Sequence, residues 1–423
     1  MGVTRRQVVA AAAVVAAGAV LAGCAAPVTM EAAYRALPPA PPGSPRDISL
    51  SVSPASGAAG LSPATPVTVK LPHGELGAVT LLGPDGQAVA GALSADKTTW
   101  QNTATLLYNR TYTLKVTGQG ADGRHYDQSG TFTTVKPRNL TMPKFVANEG
   151  MNLDGGTFGV GQPIVLKFDE KIPDRAAAER ALTVTTSTNV EGGWYWMSDY
   201  EVHWRPKEYW PAHTTVTVTA DVYGKNLGNG LYGEASRSAK FTIGQSKIMI
   251  ADSQTHHMKV YIDGQQLTTI NGKDVTDGVP ISMGKGGTER QASGTVVDFT
   301  TNSGPHVITM KYETVRMTSA SFGITDPHSP NFYDEVIKKD LRITADGEFV
   351  HLRDWDTWQI GKMNTSHGCI NVGVDFIYWI YDNFGAGDIV DVTGTNRHLD
   401  LRNGLGDWVM SWEDWQKGSA LHS

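Results

Sequence analysis

Cys369, His351 and His367 are the residues whose types and spacing could do chemistry. A thiol attacks well only as its thiolate, so it needs a base or a cationic partner within reach. His367 stands two residues before Cys369 in Ser366-His367-Gly368-Cys369-Ile370-Asn371. On an extended strand that spacing puts both side chains on one face; in a turn they diverge. His351 follows Gly347-Glu348-Phe349-Val350, a strand-like run. A strand, a loop and a return can carry its ring to the thiol, so His351 is the candidate base. Gly368 lets the backbone approach closely, and amides near Cys369 are candidates for an oxyanion hole. Asn371 could orient substrate or brace the loop. His328 is a third candidate histidine, less well placed.

Residue chemistry alone leaves two other readings open. A lone cysteine is commonly an inert small hydrophobe, and a lone histidine a satisfied core or surface group. His351, His367 and Cys369 could also supply three zinc ligands. Against zinc, the chain has no Cys-x-x-Cys and no His-Glu-x-x-His pattern.

The elements that must position these residues are mostly strands. The chain has 423 residues and a formal charge of −6 with both signs interspersed, too long for one domain and without the basic stripe that nucleic acid requires. No nucleic-acid partner is expected. Its two cysteines, Cys24 and Cys369, suggest no internal disulfide, so stability must come from packing.

Residues 1–24 read as an export signal: Arg5-Arg6, then an apolar run from Val8 to Val20. Leu21-Ala22-Gly23-Cys24 resembles a bacterial lipobox, whose cysteine is lipidated and becomes the mature N-terminus. Two acyl chains give stable anchoring where one is marginal. The expected location is therefore the outer face of the cytoplasmic membrane, in the periplasmic space, with the membrane as a partner through Cys24. Residues 25–46 are a proline-rich linker that leans to polyproline II and spaces the folded part from the bilayer.

From 47 to 136 and from 137 to 245, short β-rich runs alternate with turn signals. Thr111 to Val116 in the first module and Thr215 to Ala220 in the second occupy equivalent places, each before a closing strand. The pattern predicts two immunoglobulin-like sandwiches, with a short helix from Asp174 to Ala181 in the second. Tyr223 to Gly230 is glycine-rich and without carboxylates, a hairpin turn rather than a calcium loop. Residues 246–393 stay β-rich, with one clear helix from Asp375 to Phe384, Asp375 as its N-cap and Gly385 as its stop. In that helix Phe376, Ile377, Trp379 and Ile380 form the core face. The extension 394–423 carries Trp408, Trp412 and Trp415, a stripe expected to pack back across a domain boundary.

His351 together with Thr365-Ser366-His367-Gly368-Cys369-Ile370-Asn371 resembles the signature of the L,D-transpeptidase catalytic domain, the YkuD-like fold, over about residues 247–393. The lipobox, the paired sandwiches and the Trp-rich tail are similar to the mycobacterial and wider actinobacterial members. The resemblance implies a mostly β chain: two immunoglobulin-like sandwiches, then a YkuD-like catalytic domain with a short helix and a Trp-rich C-terminal tail. It further implies Cys369 as acylated nucleophile, His351 as general base and His367 as part of the catalytic motif. Tyr333 would be the lid tyrosine that binds substrate and stabilises the oxyanion. Asn371, Met317, Trp355, Gly347, Ser366 and Gly368 would complete the substrate site. Leu352 departs from the serine or glycine many members carry, at a position where the backbone carbonyl is thought to act. The implied reaction joins donor and acceptor peptidoglycan stem peptides in 3→3 crosslinks with release of D-alanine, needs no metal or organic cofactor, and is open to carbapenem β-lactams. An L,D-carboxypeptidase or protein-attachment enzyme shares the acyl-enzyme, and a non-catalytic wall-binding scaffold is the rival of another class.

Overall fold

Period-two alternation builds both N-terminal modules. The strand Thr111–Gly120 buries Tyr112, Leu114 and Val116 and leaves the intervening residues outward. The computed structural model describes residues 49–148, 150–291 and 294–422; the export signal, Cys24 and the whole linker lie outside these. In the first module the sheet Ser51–Ser53, Thr68–Lys70, Thr99–Asn102, Gly91–Leu93 faces a second sheet. That one runs Ala88–Val89, Gly74–Leu82, Thr111–Gly120, His125–Thr133. Trp100, Leu81 and Phe132 lie in the core between them.

The second module repeats the plan. Pro143–Asn148, Ile164–Phe168, Glu201–Pro206 and Gly192–Trp196 form one sheet with Met151–Asn152 at its edge; Arg237–Ile243, Thr215–Ala220 and Leu182–Thr186, with Thr157–Phe158, form the other. Its helix is Arg175–Glu179, started by Asp174, whose carboxylate accepts from the Ala177 N–H at 2.9 Å. The loop after Tyr223 does turn back on itself: the Leu227 N–H donates to Leu231 O at 2.8 Å. It is also the joint between modules, which the hairpin reading missed. Gly224 accepts at its carbonyl from Ser62 Oγ at 2.7 Å, and its N–H donates to the Tyr108 hydroxyl at 2.7 Å.

The third region is a ten-stranded sheet. Its order is Gly304–Val307, Ile389–Thr393, Lys247–Asp252, His257–Ile262, Val279–Ser282, Ile370–Val372, Phe349–Leu352, Asp334–Arg342, Met310–Thr318, with Gln265–Gln266 paired beside the fourth. Two pairs are parallel: Lys247–Asp252 with Ile389–Thr393, and Phe349–Leu352 with Ile370–Val372. The helix between Ile370–Val372 and Ile389–Thr393 is Val374–Asn383. Gly373 is its N-cap, so Asp375 sits one residue inside the first turn, where it pairs with Lys273. The chain leaves the helix at Phe384 in an extended conformation, and the Gly385 N–H donates to Asp388 at 2.9 Å. Tyr381 takes the core place expected of Trp379, which is only half-buried.

The second sandwich and the ten-stranded sheet share a core, in which Val307 and Ile389 pack with the sandwich residues. Their backbones meet where the N–H groups of Gly159 and Gly161 donate to the carbonyls of Ala386 and Gly387 at 2.9 and 2.8 Å. A Cβ on Gly159 would lie 2.2 Å from the Asp388 nitrogen, so glycine is required there. The tail closes the joint. Trp415 is fully buried, stacks 4.9 Å from Tyr195 and donates its indole N–H to Gly193 O. Trp408 and Trp415 bracket the buried Arg205 guanidinium at 4.8 and 4.7 Å from their ring centres. The stripe thus packs across the boundary, as its spacing predicts.

Candidate active site

The parallel pairing of Phe349–Leu352 with Ile370–Val372 builds the site. In this register His351 stands opposite Asn371. Cys369 precedes Asn371 by two residues, so its side chain leaves the sheet on the same face. The Val279–Ser282 strand flanks Ile370–Val372 on the other side and supports that face. Here the backbone turns: Gly368 has φ +138°, a conformation L side chains rarely adopt. His367 therefore does not continue the strand.

The turn is held from below. Ser366 Oγ donates to Cys369 O at 2.6 Å and accepts from the Gly368 N–H at 3.1 Å. Thr301 Oγ1 donates to Gly368 O at 2.8 Å. Glu348, nearly fully buried, accepts from the Asn302 N–H at 3.0 Å and lies close enough that a Cβ on Gly368 would come within 3.3 Å of it. The Gly368 amide, one of those near Cys369, is thus committed to Ser366.

Cys369 is half-buried, and its Sγ donates to Gly347 O at 3.8 Å. Burial pushes the thiol up to about 12; the Phe349 N–H works against this, while the charges of Glu348, Asp340 and Asp346 add to it. His351 is buried, and its Nδ1 lies 2.8 Å from Leu352 O. A carbonyl only accepts, so Nδ1 carries the proton and Nε2 keeps its lone pair. Burial holds the imidazole down at about 4, against the Leu352 hydrogen bond and with a small push from Arg353. The resting pair is therefore a neutral thiol and a neutral base of fixed tautomer. Leucine at 352 keeps the carbonyl in place.

One cavity of about 150 Å³ gathers Cys369, His351, His367, Asn371, Ser366, Tyr333, Met317 and Trp355. Gly347 and Gly368 contribute backbone behind it. Tyr333 and Met317 come from opposite ends of a long hairpin excursion. In its ladder Met317 pairs Glu335, and the excursion is pinned where the Ser319 N–H donates to Tyr333 O at 3.0 Å and the Tyr333 N–H donates to Ser319 Oγ at 3.1 Å. The Tyr333 ring lies 4.9 Å from that of His367, and burial raises its hydroxyl well above the ordinary range, keeping it a donor. His367 is also edge-on to Phe299 at 5.1 Å, and its Nε2 meets Lys285 Nζ at 3.2 Å. An ammonium at that nitrogen is a poor neighbour for a metal ion, so His367 reads as a packing and orienting group. His328 is exposed on the loop after Asp326 and does not line the cavity.

Sequence reasoning gave no separate role to Arg353, Glu335, Ile337 and Thr365, which also line the cavity, or to Glu348, Thr301 and Lys285, which support it. Thr365 lies inside the quoted motif, Glu348 in the run before His351 and Arg353 two residues after it; the others are brought in by hairpin register and by a distant loop, which leave no local signal.

The architecture defines a class: sandwiches of the immunoglobulin type carrying an L,D-transpeptidase catalytic domain. The family model "Bacterial Ig domain" matches residues 58–226 and "L,D-transpeptidase catalytic domain" matches 246–392. The chain belongs to the L,D-transpeptidase family, being 38% identical over 372 residues to L,D-transpeptidase 2 of Mycobacterium tuberculosis, across 88% of this chain and 85% of that one. L,D-transpeptidase 5 of the same species is 36% identical over 408 residues, 95% of this chain and 82% of its own. Among solved structures, LD transpeptidase LdtMt1 in complex with imipenem aligns with TM-score 0.45 and 27% identity, covering 59% of this chain and 99% of that one.

Proposed function

We propose that the chain forms 3→3 peptidoglycan crosslinks through an acyl-enzyme on Cys369. The observation that carries this is that His351, opposite Asn371 on adjoining parallel strands, lines one cavity with Cys369, with His351 Nδ1 fixed on Leu352 O. The thiol turns from Gly347 O toward His351, whose Nε2 takes its proton as Sγ attacks the carbonyl at the L-centre of the donor's diamino acid. The developing oxyanion is met by the Tyr333 hydroxyl, which has remained protonated. The imidazolium then gives its proton to the departing amine, the C–N bond breaks, and D-alanine leaves behind a thioester. The side-chain amine of a second stem attacks that thioester; His351 takes the amine's proton and returns it to sulfur. A small cavity under the Tyr333 excursion favours a held amine over bulk water. Trp355, Met317 and Asn371 line the path of the stem.

The membrane tether belongs to the same proposal. Cys24 is outside the described residues, and the support for its lipidation at the outer face of the cytoplasmic membrane is the Leu21–Cys24 sequence. Cys24→Ser should release the protein into the soluble fraction; retention in the membrane fraction counts against the anchor.

The functional test is product mass on a defined tetrapeptide. Wild-type protein should yield a dimer lacking one D-alanine, and Cys369→Ala should yield nothing. A trimmed monomer alone would make the enzyme an L,D-carboxypeptidase, and activity surviving in Cys369→Ala would end the acyl-enzyme mechanism.

A further inference from the structure

Arg353 follows the strand that carries His351, and its N–H donates to Val372 O at 2.8 Å, continuing the parallel ladder. It therefore shares the His351 face and lines the same cavity as Cys369. The residue is 6% exposed. Three of its N–H groups have neutral acceptors: Trp355 O at 3.0 Å, Thr365 Oγ1 at 2.6 Å and Gln359 Oε1 at 2.6 Å. A guanidinium carries five such donors, so two remain.

The charge is balanced only at a distance. Among the described residues the nearest carboxylate oxygen belongs to Asp356 at 4.0 Å, and that side chain is 63% exposed. Glu335 lines the cavity as well and favours the Arg353 cation only through longer-range attraction. A buried cation whose counter-charges are distant and exposed is costly, and a bound anion would complete it. Arg205, the other buried arginine described here, shows the contrast. Trp408, Trp412 and Trp415 rings enclose its guanidinium, whereas Arg353 has the Trp355 ring at 5.5 Å and lines the Cys369 cavity.

We propose that Arg353 forms a carboxylate-binding subsite beside Cys369, which takes a free carboxylate of the donor stem peptide. The proposal rests on the reading of Cys369 as the acyl-transfer nucleophile. Two stem carboxylates fit the chemistry: the terminal one of the leaving D-residue, and the one at the D-centre of the diamino acid. Both suit a planar fork of N–H donors. Glu335, of opposite sign, keeps such an anion to the Arg353 side.

The test is calorimetric titration of Cys369→Ala protein with three tetrapeptides: the native stem, its C-terminal amide, and the stem amidated at the D-centre. One amide should bind roughly ten- to a hundredfold more weakly than the native peptide, the effect of a charge-assisted hydrogen bond removed from a desolvated site. Which amide it is identifies the carboxylate. Adding Arg353→Gln should drop the native peptide to the level of that amide and leave the amide unchanged; Arg353→Lys should keep part of the preference. A merely structural arginine, knitting Trp355, Gln359 and Thr365 together, would weaken all three peptides alike in Arg353→Gln, and that result overturns the subsite. So does equal binding of all three peptides while Arg353 is intact, a comparison that needs no foldable variant. Carbapenem adduct formation on the wild-type protein is run alongside: an adduct without carboxylate preference removes only the subsite, and no adduct removes the nucleophile.

Discussion

His351 and His203 are both buried imidazoles, one in the Cys369 cavity and one under the C-terminal tail. His203 has a carboxylate on each ring nitrogen, Asp407 at 2.7 Å and Glu201 at 2.8 Å. Burial pushes it down, but the two acids outweigh that and hold it at about 9. His351 has a carbonyl on one nitrogen and no carboxylate partner, and burial leaves it at about 4. The first is a charged fastener between sandwich and tail; the second is a neutral base. Burial is common to both, and the neighbours decide which role follows.

The largest effect that sharpens this contrast is His351→Gln. It should slow carbapenem acylation of Cys369 by about 10²- to 10⁴-fold, the usual range for a general base, with the melting temperature little changed. Stopped-flow or mass-resolved acylation reads the rate. Asp407→Asn should do the reverse. Breaking one partner of a buried ion pair costs about 3–5 kcal/mol, seen in urea or thermal unfolding, while acylation by the folded fraction stays within about twofold. If Asp407→Asn slows acylation as far as His351→Gln, the division of labour is wrong.

The pH dependences should also oppose each other. His203 has a folded pKa of about 9, above its ordinary 6.5, so its contribution is complete below 6.5 and is lost as pH rises through 9. The stability gap between wild type and Asp407→Asn should narrow over that window. His351 has a folded pKa of about 4, below 6.5, so it is neutral in the native state. The unfolded chain takes up that proton first, and stability falls as pH drops from 6.5 toward 4. A neutral thiol–imidazole pair predicts an acylation rate nearly flat from about pH 5 to about pH 9. A bell centred near neutrality would indicate a resting ion pair. The smallest effect belongs to Leu352→Met, a volume-conserving change that keeps the carbonyl. It should cost less than about 1.5 kcal/mol and leave acylation within about twofold, as measured by melting and by adduct formation.

The same contrast shows what could be read without coordinates. The His351–Cys369 pair was legible because each sits on a short β-like run beside a dense local motif, and the strand period fixes their common face. The Trp408–Trp415 stripe was legible as a packing face through its spacing. Its target was not, because Arg205 and His203 sit on a strand two hundred residues earlier. Glu335 and Arg353 escaped for a related reason. A charged residue in or beside a strand reads as solvent-facing; the register of the Met310–Arg342 hairpin carries Glu335 to the cavity wall, and the ladder continued past Leu352 carries Arg353 there. The cap of the Val374–Asn383 helix was misplaced by two residues because Asp375 is the better capping residue in isolation, while Gly373 is where the strand ends.

The most direct measurement of the central claim is intact-protein mass spectrometry after exposure to a carbapenem. Wild-type protein should gain one adduct, mapped by peptide digestion to Cys369, and Cys369→Ala should gain none. An unmodified wild-type protein, or an adduct that persists in Cys369→Ala, would contradict the account.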